Sequence, residues 1–154
     1  MTGLIAVVVI LAAATAYGLW RKRTNGRFVE PSFPAGSWPG SQSPAQLTSG
    51  QLGASLGSRA TLVEFTSAFC APCRATRRVL DRVVASVAGV TVIEVDAEKD
   101  LALTRELGIL RTPTVLILDG DGSIHHRAAG EPRYADVVAA LGAVIPDAAD
   151  LRTS

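Results

Sequence analysis

The stretch that decides the fold is Thr61-Leu62-Val63-Glu64-Phe65-Thr66, then Ser67-Ala68-Phe69, then Cys70-Ala71-Pro72-Cys73. The first six residues are β-branched or apolar apart from Glu64, the composition of a buried strand. A pair of cysteines three positions apart follows, and Pro72 fits the first turn of a helix, where a missing N–H does no harm. Strand, C-x-x-C and helix in that order place both thiols at a helix N-terminus. There the unsatisfied N–H groups and the helix dipole favour thiolate, the attacking species in thiol chemistry. Cys73, one turn along, can attack a mixed disulfide formed at Cys70 and release a reduced product.

These are the only two cysteines. A bridge between them closes a very short loop and restrains the unfolded chain little. Two thiolates cannot complete a four-ligand zinc site. His125-His126 could add ligands, but neighbours on a strand point to opposite faces, and a solvated edge strand is the better reading of both. The context therefore favours a redox dithiol over a metal site, with no metal ligand assigned and no cofactor required. Glu64 stands out as a carboxylate in an apolar strand. Burial would raise its pKa and let it exchange a proton as Cys73 attacks; the alternative is a half-exposed strand with Glu64 in solvent.

Outward from this centre the pattern alternates. Thr48 to Leu56 is a short helix candidate broken by glycine. The helix after the cysteines runs to about Ala88, with Val79, Leu80, Val83, Val84 and Val87 on one face and Arg74, Arg77, Arg78, Asp81 and Arg82 toward the other. Gly89 ends it. Val90 to Val95 is a strand, Leu101 to Leu107 a helix stopped by Gly108, and Thr114 to Leu118 a strand. Asp119-Gly120-Asp121-Gly122 is a hairpin turn leading into Ser123 to Ala128. Pro132 to about Ile145 is the last helix, Pro132 near its first turn and Tyr134, Val137, Val138, Leu141 and Val144 on one stripe. A helical crossover between the first two strands makes them parallel, and the hairpin adds an antiparallel pair. The fold class is α/β: a mixed sheet of four strands flanked by helices, with a fifth strand unassigned because no clear strand pattern precedes Thr48.

The N-terminal part differs in kind. Gly3 to Trp20 carries no charge and spans about 27 Å as a helix, close to a bilayer's hydrocarbon thickness. Tyr17 and Trp20 sit at one end, and Arg21-Lys22-Arg23 follows. This predicts one transmembrane helix over 3–20, with lipid as its partner and the basic cluster on the cytoplasmic side. A cleaved signal peptide is the rival, with Ala12-Ala13-Ala14 as its cleavage site, but its basic residues should come first. Residues 21–46 read as a basic flank and a Pro/Gly/Ser-rich linker, 47–146 as the globular domain and 147–154 as a tail. Phe33 and Trp38 in the linker would rest on the membrane or the domain, or be incidental. The net charge of +1 gives no field to draw in nucleic acid.

From about Leu47 to Ile145 the sequence resembles the thioredoxin family. Leu62-Val63-Glu64-Phe65 through Phe69-Cys70-Ala71-Pro72-Cys73-Arg74 is similar to the strand and W-C-G-P-C-K active site. Val95-Asp96 resembles the strand-ending Asp, Gly108-Ile109-Leu110-Arg111-Thr112-Pro113-Thr114 the segment carrying the cis-proline, and Gly130 the glycine after the hairpin. The resemblance implies an exposed nucleophile at Cys70 and a buried resolving thiol at Cys73. It implies a cis Thr112–Pro113 bond beside the dithiol, where the Thr112 backbone could pair with a substrate strand. It maps Glu64 onto the buried acid, usually Asp and sometimes Glu in membrane-tethered relatives. Phe69, Ala71, Pro72, Thr112 and Gly130 then border the substrate. The implied partners are a disulfide-containing protein substrate and an upstream dithiol donor. Phe69 and Thr66 stand where tryptophans are common, Ala71 replaces Gly, and Val92 falls where many thioredoxins carry a Lys facing the buried acid. On this basis the chain is expected to be a membrane-tethered reductase of protein disulfides. The alternatives are an extracytoplasmic thiol–disulfide oxidoreductase, of the cytochrome-maturation or secreted-protein kind, and a metal-binding chaperone.

Overall fold

The computed structural model describes residues 2–24, 26–29 and 46–145. The elements are α1 (Thr2–Thr24), β1 (Phe28–Val29), α2 (Ser49–Leu52), β2 (Ala60–Thr66), α3 (Ala71–Ser86), β3 (Val90–Asp96), α4 (Leu101–Glu106), β4 (Thr114–Asp119), β5 (Ile124–Ala129) and α5 (Tyr134–Val144). Phe33, Trp38 and the 147–154 tail lie outside the described residues.

β2 is buried along its whole length, as a strand covered on both faces must be. It pairs parallel with β3, from Ala60↔Val90 to Thr66↔Asp96, and antiparallel with β4, from Ala60↔Asp119 to Phe65↔Thr114. The two-residue period splits the core between the faces of the sheet. Val63, Phe65, Ile93, Val95 and Leu116 pack with Leu103 and Leu107 on one side. Leu62, Val115 and Ile117 pack with Leu80 and Val83 of α3 and Val137 and Leu141 of α5 on the other. Glu64 shares the α3 face with Leu62.

The expected hairpin forms around Asp119, whose Oδ1 accepts hydrogen bonds from the N–H groups of Asp121 and Ser123, while Gly122 adopts φ 89°. Thr48 caps α2 through a reciprocal bond with Gln51, and Gly53 ends that helix at Leu52, short of the expected Leu56. α3 stops at Ser86 rather than Ala88, because Val87 turns extended and is buried. α5 starts at Tyr134 with Arg133 as its N-cap, two residues after the expected start at Pro132.

The sheet has five strands in the order β1-β5-β4-β2-β3. The added strand, β1, falls within the expected linker, and pairs antiparallel with β5 through Phe28↔Ala128 and Val29↔Arg127. β5 is therefore covered at its C-terminal end and is not a free edge there. Gly26 ahead of β1 is buried at φ 76°, and its N–H donates to the Ala129 carbonyl at 3.1 Å. A Cβ at Gly26 would meet the Glu131 carbonyl oxygen. Gly26→Ala is therefore expected to destabilise the protein by about 2 kcal/mol; an unchanged denaturant midpoint in detergent would contradict the seating of β1.

α1 covers the helix expected over 3–20. It has 23 residues and extends about 34 Å, and its residues 5–20 are exposed throughout. Among the described residues no helix is long and apolar enough to cross a membrane.

Candidate active site

Cys70 is the N-cap of α3, and its Sγ accepts the Cys73 N–H at 3.1 Å. A sulfur there meets the N–H groups that a helix start leaves unsatisfied. Cys70 and Cys73 are joined as a disulfide with their Cα atoms 5.2 Å apart. The expected contrast between an exposed Cys70 and a buried Cys73 is slight in this form: 8% and 5% of their surface is exposed. The physical reason is that the Cys70 sulfur turns back onto its own helix as cap and bridge. Both residues border a cleft of about 550 Å³, together with Ser67, Arg74, Arg78 and Glu94. Phe69 is fully exposed beside them, and Ala71 and Pro72 lie at the surface.

The Thr112–Pro113 bond is cis. Tertiary contacts bring it to the dithiol. The hydroxyls of Ser67 and Thr112 lie 2.9 Å apart, linking the loop ahead of Cys70 to the residue ahead of Pro113. The Gly130 N–H donates to the Pro113 carbonyl at 2.7 Å. Cys70, Cys73, Thr112, Pro113 and Gly130 thus gather at the end of the sheet where β2 stops and β4 starts. Sequence reasoning missed Ser67 and Leu110. Leu110 is 93% exposed in the loop before Pro113, and its only signal was an apolar residue between Gly108 and Pro113.

Glu64 is completely buried, and neither carboxylate oxygen has a hydrogen-bond partner among the described residues. Its pKa is pushed up to about 7, chiefly by burial and then by the charge of Glu94; Arg77 opposes the rise and Asp81 adds to it. The half-exposed reading of Glu64 is thereby excluded.

The residue in register with Glu64 on β3 is Glu94; Val92 pairs with Leu62. Val92, at the position where the resemblance implies a lysine, lies one pair further along the same face, and a second carboxylate stands directly in register with Glu64. Glu94 is held by Thr66 Oγ1, which donates to its Oε1 at 3.2 Å, and by Arg77, 3.3 Å from its Oε2. Arg77 also bonds Asp81 at 2.8 Å. Glu94→Lys is expected to lower the Glu64 pKa by about one unit or more, because it exchanges repulsion for attraction. Titration of the Glu64 carboxyl by NMR checks this, and an unmoved value would show that burial alone sets it.

His125 bonds Asp119 at 2.8 Å, at the opposite end of the β4–β5 hairpin from Pro113. No group of three metal-ligating side chains occurs among the described residues.

A family profile described as Thioredoxin matches residues 46–142. A thioredoxin of Alicyclobacillus acidocaldarius subsp. acidocaldarius is 28% identical over 78 residues, covering 50% of this chain and 74% of that protein. Among solved structures, a point mutant of the thioredoxin from Halobacterium salinarum superposes with a TM-score of 0.52 at 19% identity, over 57% of this chain and 76% of that one. Thioredoxin F from spinach chloroplast gives 0.51 at 24% identity, over 57% and 78%. At these identities the two structures bear on the fold.

Proposed function

The chain belongs to the thioredoxin family and is a thiol–disulfide oxidoreductase, and from that premise we propose that it reduces disulfides of partner proteins while tethered to a membrane. The observation that carries the catalytic reading is the Cys70 sulfur capping α3, with Cys73 one turn behind it and Glu64 buried on the adjacent strand face. The Cys70 thiolate attacks one sulfur of the partner disulfide, the other sulfur leaves as a thiolate, and a mixed disulfide forms. Cys73 loses its proton toward Glu64 and attacks the Cys70 sulfur. The second partner sulfur leaves, and two electrons have passed from the dithiol to the partner. An upstream dithiol then restores the pair. Thr112 offers its backbone to the partner strand, and Phe69, Ala71, Pro72 and Gly130 border it.

The tether reading rests on α1. Residues 5–20 form a continuous exposed surface dominated by Ile, Val, Leu and Ala, which water would not leave uncovered. The Thr15 hydroxyl bonds the Leu11 carbonyl at 2.7 Å, so it needs no solvent partner. Tyr17 and Trp20 pack together at the end that meets Arg21-Lys22-Arg23. Lipid covers such a helix, and the basic cluster holds the catalytic domain on the cytoplasmic face.

Two measurements test this. The full chain should stay with membranes through an alkaline carbonate wash, and a cytoplasmic reporter fused after Ser154 should be active. Release by the wash would remove the tether. An active secreted phosphatase at the same position would place the domain outside the cytoplasm.

A further inference from the structure

The segment between α1 and the sheet is far shorter than the sequence suggests. With residues 21–46 read as one linker, the domain could reach about 80 Å from the membrane. β1 removes most of that length. Gly26 is already fixed to Ala129, and Phe28 is paired with Ala128. The Pro/Gly/Ser-rich stretch therefore starts and ends on the domain, since Gln46 bridges to Ser123. From Thr24, the end of α1, to Gly26 the backbone can span only about 7 Å.

The end of the sheet to which this short connection leads is the catalytic end. Ala129 pairs with Thr114, next to Pro113, and the Gly130 N–H bonds the Pro113 carbonyl. β1 and β2 are three strand spacings apart in the sheet, about 15 Å, and Cys70 follows directly on the loop after β2. The two nearly fully exposed apolar side chains of the domain's catalytic end, Phe69 and Leu110, lie on the loops bordering this site.

We propose that the dithiol works at the membrane surface and takes its substrates from membrane proteins whose disulfides lie close to the bilayer. The inference rests on the tether described above. The partner chemistry is a disulfide on a membrane-anchored chain within about 27 Å of the headgroups, a reach set by the short connection, the last turn of α1 and the distance across the sheet from β1 to β2. Reduction breaks the partner S–S bond and forms the Cys70–Cys73 bond, with both electrons coming from the dithiol.

The test uses the full chain, pre-reduced with dithiothreitol and freed of it, in vesicles of phosphatidylethanolamine and phosphatidylglycerol. Single-turnover rates are measured on a peptide disulfide attached to a lipid headgroup by a short spacer, and on the same peptide free in solution. A Gly/Ser insertion of about twelve residues after Thr24 leaves Gly26 and β1 untouched. It should lower the rate on the lipid-attached probe about tenfold, because effective concentration falls as the leash lengthens. The rate on the free peptide should stay the same. The same insertion within 31–45 should change neither rate. A lipid-probe rate that ignores the insertion after Thr24, or falls equally with the one in 31–45, overturns the inference. A chain that leaves the vesicles overturns the tether and this inference together, while reduction of the free peptide still stands for the oxidoreductase itself.

Discussion

Cys70→Ser lowers insulin disulfide reduction to the uncatalysed background, a loss of at least about a thousandfold, with the fold retained. The two halves of this expectation come from one position. As the N-cap of α3, Cys70 accepts the Cys73 N–H, and a serine oxygen fills the same role at least as well. A serine hydroxyl stays protonated near neutral pH and forms no disulfide, so the first exchange step has no nucleophile. Circular dichroism should therefore be unchanged while turnover disappears. Cys73→Ser should behave differently. It permits the first attack and blocks the second, so a mixed disulfide on Cys70 accumulates and is visible by mass. Reduction that survives Cys70→Ser would refute the dithiol mechanism.

The second large effect concerns Glu64. Its carboxyl titrates near 7 in the folded protein against 4.5 for an ordinary glutamate. Between those values the folded state binds more protons than the unfolded chain, so stability falls as pH rises through that window. The loss amounts to about 3 kcal/mol once the pH passes 7. It is absent below about pH 4.5, where both states are protonated. Glu64→Gln should flatten this part of the pH–stability curve, because an amide does not titrate. It should also slow the attack of Cys73 on the mixed disulfide by about a hundredfold, the usual size of a positioned proton acceptor's contribution. The two readouts are independent: denaturant unfolding from pH 4 to 8 gives the first, and single-turnover release of a trapped partner gives the second. A slope that persists in Glu64→Gln would assign it to another group.

Much of this was legible in the sequence because it depends on short-range pattern. β2 through α5 follow from alternation, helical periodicity and turn residues, and their bounds shifted by a residue or two where a buried side chain such as Val87 left its helix. Glu64 announced itself as a charge in an apolar strand. What could not be read depends on pairing between distant segments. β1 is two residues long and has no alternation to detect; its partners, Ala128 and Arg127, lie near the other end of the chain. The identity of the residue facing Glu64 turns on strand register, and a displacement of two residues separates Val92 from Glu94. Both residues point to the same face, so periodicity cannot choose between them. Pro113 was placed by family resemblance, and the Ser67–Thr112 contact that brings it to Cys70 has no local signature.

The pairing of Phe28 with Ala128 also bears on how the molecule comes to be made. α1 and β1 leave the ribosome well before β5, which emerges only after β2, α3, β3, α4 and β4. β1 therefore waits for a partner through most of synthesis, and a contact so distant in sequence forms late because loop closure must precede it. In the tethered form proposed above, the growing domain would hang from the bilayer during that interval on the whole length of chain before β2, and completion of the β5 hairpin would draw it in.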